Sequence, residues 1–489
     1  MTSTSLTLQA VLKSTAIRAG LGGAPRSLAG LSAAAKGLAV AVAATEAPVA
    51  VVVPADANVE QLVADSRFFL GSLNGSSQHA LHKAVLPFPS HEIDPYRGLA
   101  PHFDVVAARG RALFGLASGS VRVIVAAASA LLPRLSSPER LLAAGSRLVV
   151  GAFLEPPDLG DLLVDAGFTP GDPVDAHGEF CVRGGVVDFF PAGDVLPIRA
   201  EFAGDALESL RRFDPATQRS IQSLDRVEVL PLRELFEATD SAATDSDQKD
   251  RSAWLADYLL RLPGLRVYLS ESEASLTAIK RCFQQAVAGF SDKESAGEAL
   301  PPPDQLFVDE LTVARWLASA SRLEQLWENQ ATASEIQHVV CQPVVEFHGR
   351  LGDWTDEIKR SRERGDTALL VTGTPGRAER VVELLADYDL VALSIDQADE
   401  THGVSLLVAT GQLTRGFRLP DAGVQIFAES DVFGEQRRVR KRRTDHTRSF
   451  LSDFRDLKAG DHVVHVDRGV GIFVGLKAIP IGSEHHEFM

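Results

Sequence analysis

The sequence predicts a multidomain α/β protein: an α/β domain with a small α+β domain inserted into it, a second α/β domain, and a truncated small β-barrel at the C-terminus. Three observations predict this class. Residues 26 to about 135 alternate helical and strand patterns, as a parallel sheet with crossover helices does. From about 140 to 195 the segments shorten, and a strand pair brackets glycines. From Gly460 to Leu476 the valines alternate and glycines then recur every few residues, the pattern of a sharply bent barrel. The stretch from Gly460 to Met489 has room for roughly two or three strands, where small barrels use about five, so the sequence reads as cut within a domain.

The elements follow in order. Leu8–Ile17 is expected as an amphipathic helix with Leu8, Val11, Leu12 and Ala16 on one face. An Ala-rich helix is expected near 33–45, a strand at Val49–Val53, a helix near Val59–Leu70 and a strand at Val121–Ala126. The inserted unit carries a strand at Arg147–Gly151, a helix near Leu159–Ala166 and the strand pair of Gly178–Phe190. Strands at Ile198–Phe202 and Val227–Leu230 come next, then polar loops at 242–247 and 291–303. A further α/β unit, expected to stand free, carries strands at Thr367–Thr372, Leu390–Ser394, Val404–Ala409 and Val424–Ala428, with a helix at Arg377–Leu385. These segments set expected boundaries at 1–140, 141–195 (the insertion), 196–350, 351–432, 433–455 (a basic linker) and 456–489 (the barrel).

Composition narrows the function classes. With 489 residues, 45% of them hydrophobic and 23% charged, ordinary globular cores are expected. A net charge of −16 argues against a chain wrapped over nucleic acid and makes protein partners the main expectation. Cys181, Cys282 and Cys341 are too far apart for a ligand pair or disulfide framework, which fits a cytoplasmic location. The apolar run from Leu28 to Val53 is broken by Lys36, Glu46 and Pro48, so no membrane span is expected. Lys13, Arg18 and Arg26 precede the first acidic residue, Glu46, but the same stretch suits a short structural helix better than a transit peptide.

Five motifs carry chemistry or fail to. Gly30-Leu31-Ser32-Ala33-Ala34-Ala35-Lys36-Gly37 sits where a phosphate loop would open the first helix. A P-loop needs a glycine at the position of Ala35 and a Ser or Thr hydroxyl at that of Gly37 to hold Mg²⁺. The loop is therefore degenerate, Gly30, Ala35, Lys36 and Gly37 are not expected to bind nucleotide, and an Ala-rich core helix is the better reading. Leu86-Pro87-Phe88-Pro89-Ser90-His91-Glu92-Ile93-Asp94-Pro95-Tyr96, followed by Arg109 and Leu113, is forced into extended backbone by its prolines. Gly178-Glu179-Phe180-Cys181-Val182-Arg183-Gly184-Gly185-Val186-Val187-Asp188-Phe189-Phe190-Pro191 is a hairpin leading to strands with charged outward positions. There Arg183, Arg199 and Arg211 suit cross-strand pairs with Glu201 and Glu208. The basic run of Arg437 to Arg443 would suit phosphates, or equally a solvated linker. His485 and His486 point to opposite faces of a strand, and His462 and His465 are out of phase, so no metal site is expected.

Taken together, the proline segment, the hairpin with Ile198–Phe202 and Phe213–Ser220, the junction Glu429–Glu435 with its arginines, and the barrel segment resemble the N-terminal, non-motor part of the bacterial transcription-repair coupling factors (Mfd). The first domain and its insertion resemble the related module of UvrB, and the last segment resembles the RNA-polymerase-interacting domain shared with CarD-type regulators. The resemblance implies a role in transcription-coupled nucleotide excision repair. UvrA would dock on the insertion through Arg183, Asp188, Phe189 and Phe190, an arginine beside exposed aromatics. RNA polymerase, through its β subunit, would be met near Ile479, weakened by truncation. ATP and Mg²⁺ would serve motor domains outside these residues, so no cofactor and no catalytic residue is expected here; DNA would be held by that motor, or weakly by the basic linker. The rival expectations are an ATP-dependent DNA translocase in its own right and a CarD-like regulator acting through the barrel alone.

Overall fold

The computed structural model describes residues 7–23, 27–91, 94–97, 101–194, 196–237, 249–326, 336–395, 404–434, 462–465, 469–472, 477–481 and 484–488. Two compact units divide the chain, residues 1–436 and 437–489. The 242–247 loop and the basic run lie outside the described residues, as does the stretch between Gly434 and His462.

Val49–Val53 and Val123–Ala127 are buried at every position, which is what a strand covered on both faces requires. They are inner strands of a seven-stranded sheet ordered Ile336–His338, Ser27–Ala29, Ser321–Glu324, Arg266–Ser270, Val49–Val53, Val123–Ala127, Val85–Phe88. Every neighbouring pair is parallel. The helix Ala33–Glu46 starts where Ser32 Oγ accepts a hydrogen bond from the Ala35 N–H, and it crosses the helix Asp56–Asn74 closely at Gly37. A Cβ at Gly37 would lie 2.6 Å from that of Asp65, so this glycine serves helix packing rather than a phosphate. The first helix, Leu8–Arg18, buries Val11, Leu12 and Ala16 as its pattern predicts.

The insertion is larger than the sequence suggests. Its six-stranded sheet runs Ser220–Leu224, Ala206–Phe213, Ile198–Ala203, Val186–Phe189, Glu179–Arg183, Thr169–Pro170. The boundary expected at 195 falls between Val186–Phe189 and Ile198–Ala203, which are antiparallel neighbours in one sheet. A two-stranded ladder, Ser146–Val149 with Arg226–Val229, closes the unit where it leaves the parent domain. Its core (Leu159, Leu163, Phe180, Val187, Phe189, Leu210) is separate from that of the parent domain.

The region after 340 builds a second sheet, ordered Gln342–Pro343, Phe417–Leu419, Val424–Ala428, Thr367–Thr372, Leu406–Thr410, Ala392–Ser394. It does not stand free. The core that holds Leu38 and Val51 continues through Phe69 into Leu369, Val371 and Phe417, with the Phe69 and Phe417 rings 6.1 Å apart. Asp65 reaches across to accept hydrogen bonds from the Thr414 N–H (2.8 Å) and hydroxyl (2.7 Å). The 291–303 loop also begins later than expected, because the helix Ser272–Ser295 runs through its first residues. In the second unit, His462–His465 pairs with Gly469–Ile472 and Lys477–Ile481 with Glu484–Phe488, both antiparallel. Among the described residues no helix is long and apolar enough to cross a membrane.

Candidate functional site

The hairpin of the insertion turns at Gly184-Gly185, with Gly184 at φ +58°, so a two-residue turn joins Arg183 directly opposite Val186. The helix Pro156–Ala166 covers one face of the sheet: Leu159 and Leu163 pack with Phe180, Val187 and Phe189, all in phase along their strands. Pairing register then places Cys181, Asp188, Arg199, Arg211 and Ser223 in one row across the other face. Val186 and Glu201 form the next row, beside Arg183.

This face carries a charge ladder. Arg199 donates to both oxygens of Asp188 at 2.7 and 2.8 Å, and its guanidinium lies 4.6 Å from the Phe213 ring centroid. Asp188 and Arg199 are largely covered, whereas the side chains of Arg183 and Arg211 are 46% and 43% exposed. Arg183 pairs with Asp172 and lies 4.0 Å from Asp188, and Arg211 lies 3.6 Å from Glu201. Of the cross-strand pairs expected with Glu201 and Glu208, the described residues show that of Arg211 with Glu201; Arg199 pairs instead with Asp188, which the sequence reading placed only in the docking set, and Arg183 with Asp172 from a loop.

Two of the expected anchors are not on this surface. Phe189 is fully buried in the insertion's core. Phe190 is 4% exposed and stacks on the His177 ring at 3.8 Å. The strand pleat explains Phe189: it is in phase with Val187, and both face the helix. The outward signal that does survive is the charged phase of the same strands.

The degenerate phosphate loop is occupied by the protein itself. Gly30 sits at φ +87° and a Cβ there would meet the Val339 carbonyl oxygen at 2.3 Å, so this glycine serves a close backbone approach. Leu31 is fully buried, and Ala35 is 1% exposed within the helix. Lys36 is 5% exposed; its Nζ donates to Ser270 Oγ at 2.8 Å and to the Glu271 carboxylate. A carboxylate at the end of the Arg266–Ser270 strand therefore takes the ammonium that a phosphate loop would offer to phosphate.

The proline segment is a clasp rather than a surface connector. Arg109, wholly buried, donates to the Pro89 carbonyl (2.7 Å) and twice to Glu234, and stacks 4.1 Å from the Phe88 ring centroid. His91 lies 3.3 Å from the same carboxylate, and Asp56 accepts from the Ser90 N–H at 2.8 Å. Burial pushes the Glu234 carboxyl up, but the guanidinium and His91 outweigh it and hold the group well below the usual range. Glu234, Asp172 and Glu271 were not singled out from sequence, because each meets its partner only through the fold. Ile479 lies in the strand Lys477–Ile481, opposite His486.

The family model for the UvrB interaction domain matches residues 147–235, the extent that the sheet and its closing ladder define. The model for the CarD-like/TRCF RID domain matches residues 457–489. The transcription-repair-coupling factor of Myxococcus xanthus is 27% identical over 91% of this chain and 42% of its own length. Those of Escherichia coli and Bacillus subtilis are 25% and 23% identical, each over 83% of this chain and 39% of their own lengths. The chain thus spans less than half the length of the curated relatives it matches. Both domain matches and the breadth of these likenesses make the chain similar to the N-terminal part of the transcription-repair-coupling factors.

Proposed function

We propose that this chain is a recruiting segment in transcription-coupled nucleotide excision repair, with the inserted unit docking UvrA and the 457–489 region meeting RNA polymerase. The observation that carries the reading is the open charged face on a unit matched by the UvrB interaction domain. Arg183 and Arg211 are exposed and lightly paired, so a partner carboxylate can replace Asp172 or Glu201 without stranding a buried charge. Asp188 and Arg199 hold the strands beneath them and keep the row in register. Arg183 and Asp188 therefore stay in the proposed site, Asp188 as support, while Phe189 lies in the core on the helix-covered face and Phe190 is buried against His177.

Contact with the polymerase β subunit is proposed for the strand that carries Ile479. ATP-driven translocation on DNA, with its ATP and Mg²⁺, is proposed as work of the full-length family members and not of the Lys36 loop, whose cation is already neutralised.

The test is association with UvrA, measured by biolayer interferometry for the chain and for Arg183→Ala/Arg211→Ala. The double substitution is expected to weaken the complex by more than about 1 kcal/mol. The wild-type on-rate is expected to fall as salt rises. An unchanged affinity in the double variant would remove this face from the site.

A further inference from the structure

A second candidate site shares no residue with the charged row of the insertion. A cleft of about 1450 Å³ runs along the carboxyl edge of the seven-stranded sheet. Its lining includes Ser90, Ser129, Glu271 and Glu324, which follow or end four of the parallel strands. The crevice outside the carboxyl ends of parallel strands is where open α/β sheets take their ligands. The helix Ser272–Ser295 contributes Ala274, Ala278 and Ala286 to the cleft's lining, and Leu306 and Phe307 add further apolar surface.

The charges in the cleft are unequally committed. Glu234 is held by Arg109 and His91, Glu271 by Lys36, and Glu324 accepts from the Ser272 N–H and hydroxyl. Asp94 accepts from the Tyr96 N–H and faces Arg97. Of the acids, Glu273 alone has no partner among the described residues. On the cationic side, Arg134 and Arg233 donate only to the backbone carbonyls of Asp304 and Val164, while Arg251 and Arg281 have no partner among the described residues. In a chain of net charge −16, the uncommitted charge of this crevice is positive.

From this cleft we infer a binding site for a nucleoside phosphate, with Arg251 and Arg281 on the phosphates and the apolar walls against the base. The cleft exceeds the roughly 300–1,000 Å³ of a single small-ligand pocket, which favours linked nucleotides of a single strand over one free nucleotide. Lys36 does not line it, and no hydrolysis is implied.

The test uses the full chain, with a short fluorescein-labelled oligothymidylate and, separately, ADP without magnesium, titrated by anisotropy and calorimetry at several salt concentrations. Arg251→Ala/Arg281→Ala is the variant, with circular dichroism and UvrA association as controls for folding. Wild-type chain is expected to bind the oligonucleotide more tightly than ADP. The variant is expected to bind about tenfold more weakly, and its log–log salt slope to shrink by about 1.4, the share of two single-strand phosphate contacts. Equal affinity for ADP would assign the cleft to free nucleotides of the same chemistry. Absence of binding by both probes at low salt, or a variant with unchanged affinity and slope, would overturn the proposal.

Discussion

Arg109 and Arg183 each pair with a carboxylate of the same chain, Glu234 and Asp172, yet their surroundings give them opposite roles. Arg109 is fully enclosed, bidentate to Glu234 and stacked on Phe88, and each of its side-chain nitrogens makes a hydrogen bond inside the protein. Arg183 stands at the tip of a hairpin with nearly half its side chain in water and an exposed aspartate as its principal partner. An enclosed pair fixes geometry, because removing one member leaves a charge without water. An exposed pair contributes little to stability and remains free to exchange partners. The clasp around Glu234 therefore sets where the insertion leaves its parent domain, and the ladder on the insertion's open face is what another protein can read.

The contrast breaks most readily at Glu234. Glu234→Ala should cost about 3–5 kcal/mol in urea unfolding, since it strands Arg109; a cost below about 1 kcal/mol would mean that the clasp is incidental. Arg199→Ala, which uncovers Asp188 from its bidentate partner, should cost about 2 kcal/mol and loosen hydrogen-exchange protection in the Ile198–Ala203 strand. Lys36→Met should cost about 1 kcal/mol, because Glu271 is partly exposed and can turn to water. Arg183→Ala should change stability by less than about 0.5 kcal/mol while still weakening UvrA association.

Asp65 sharpens the comparison through pH. Burial pushes its carboxyl up to about 6, against the two hydrogen bonds from Thr414. A folded-state value above the unfolded 3.8 means that the folded protein holds the proton more tightly, so this contribution is complete below about pH 4 and is lost as pH rises through 6. Asp65→Asn should flatten that dependence in unfolding midpoints measured from acid to neutral pH. Glu234 acts with the opposite sign, its contribution present at neutral pH and lost as acid protonates it.

What the sequence made legible follows the range of the physics. The valines of Val49–Val53 announce a doubly covered strand, Ser32 announces a helix start, and paired glycines announce the hairpin, because each signal lies within a few residues. The degenerate loop was legible from Ala35 and Gly37, but not that Glu271 would neutralise Lys36, a partner 235 positions away. The insertion's end was misplaced because strand length does not reveal sheet membership; only the pairing of Val186–Phe189 with Ile198–Ala203 does. Phe189 could have been placed by its phase with Val187, whereas the burial of Phe190 depends on His177 arriving from a preceding loop. Continuity between the seven-stranded sheet and the sheet after residue 340 was not legible, because Phe69 and Phe417 satisfy local patterns on separate elements.

The central claim is that the charged face of the inserted sheet, and not its helix-covered face, meets UvrA. A photo-crosslinking residue placed at Ser223, in the row of Arg211 and Arg199, and another at Val164, exposed on the covering helix, would read the two faces directly. The account predicts crosslinking to UvrA from position 223 and none from 164. Crosslinking from 164 with none from 223 would contradict it.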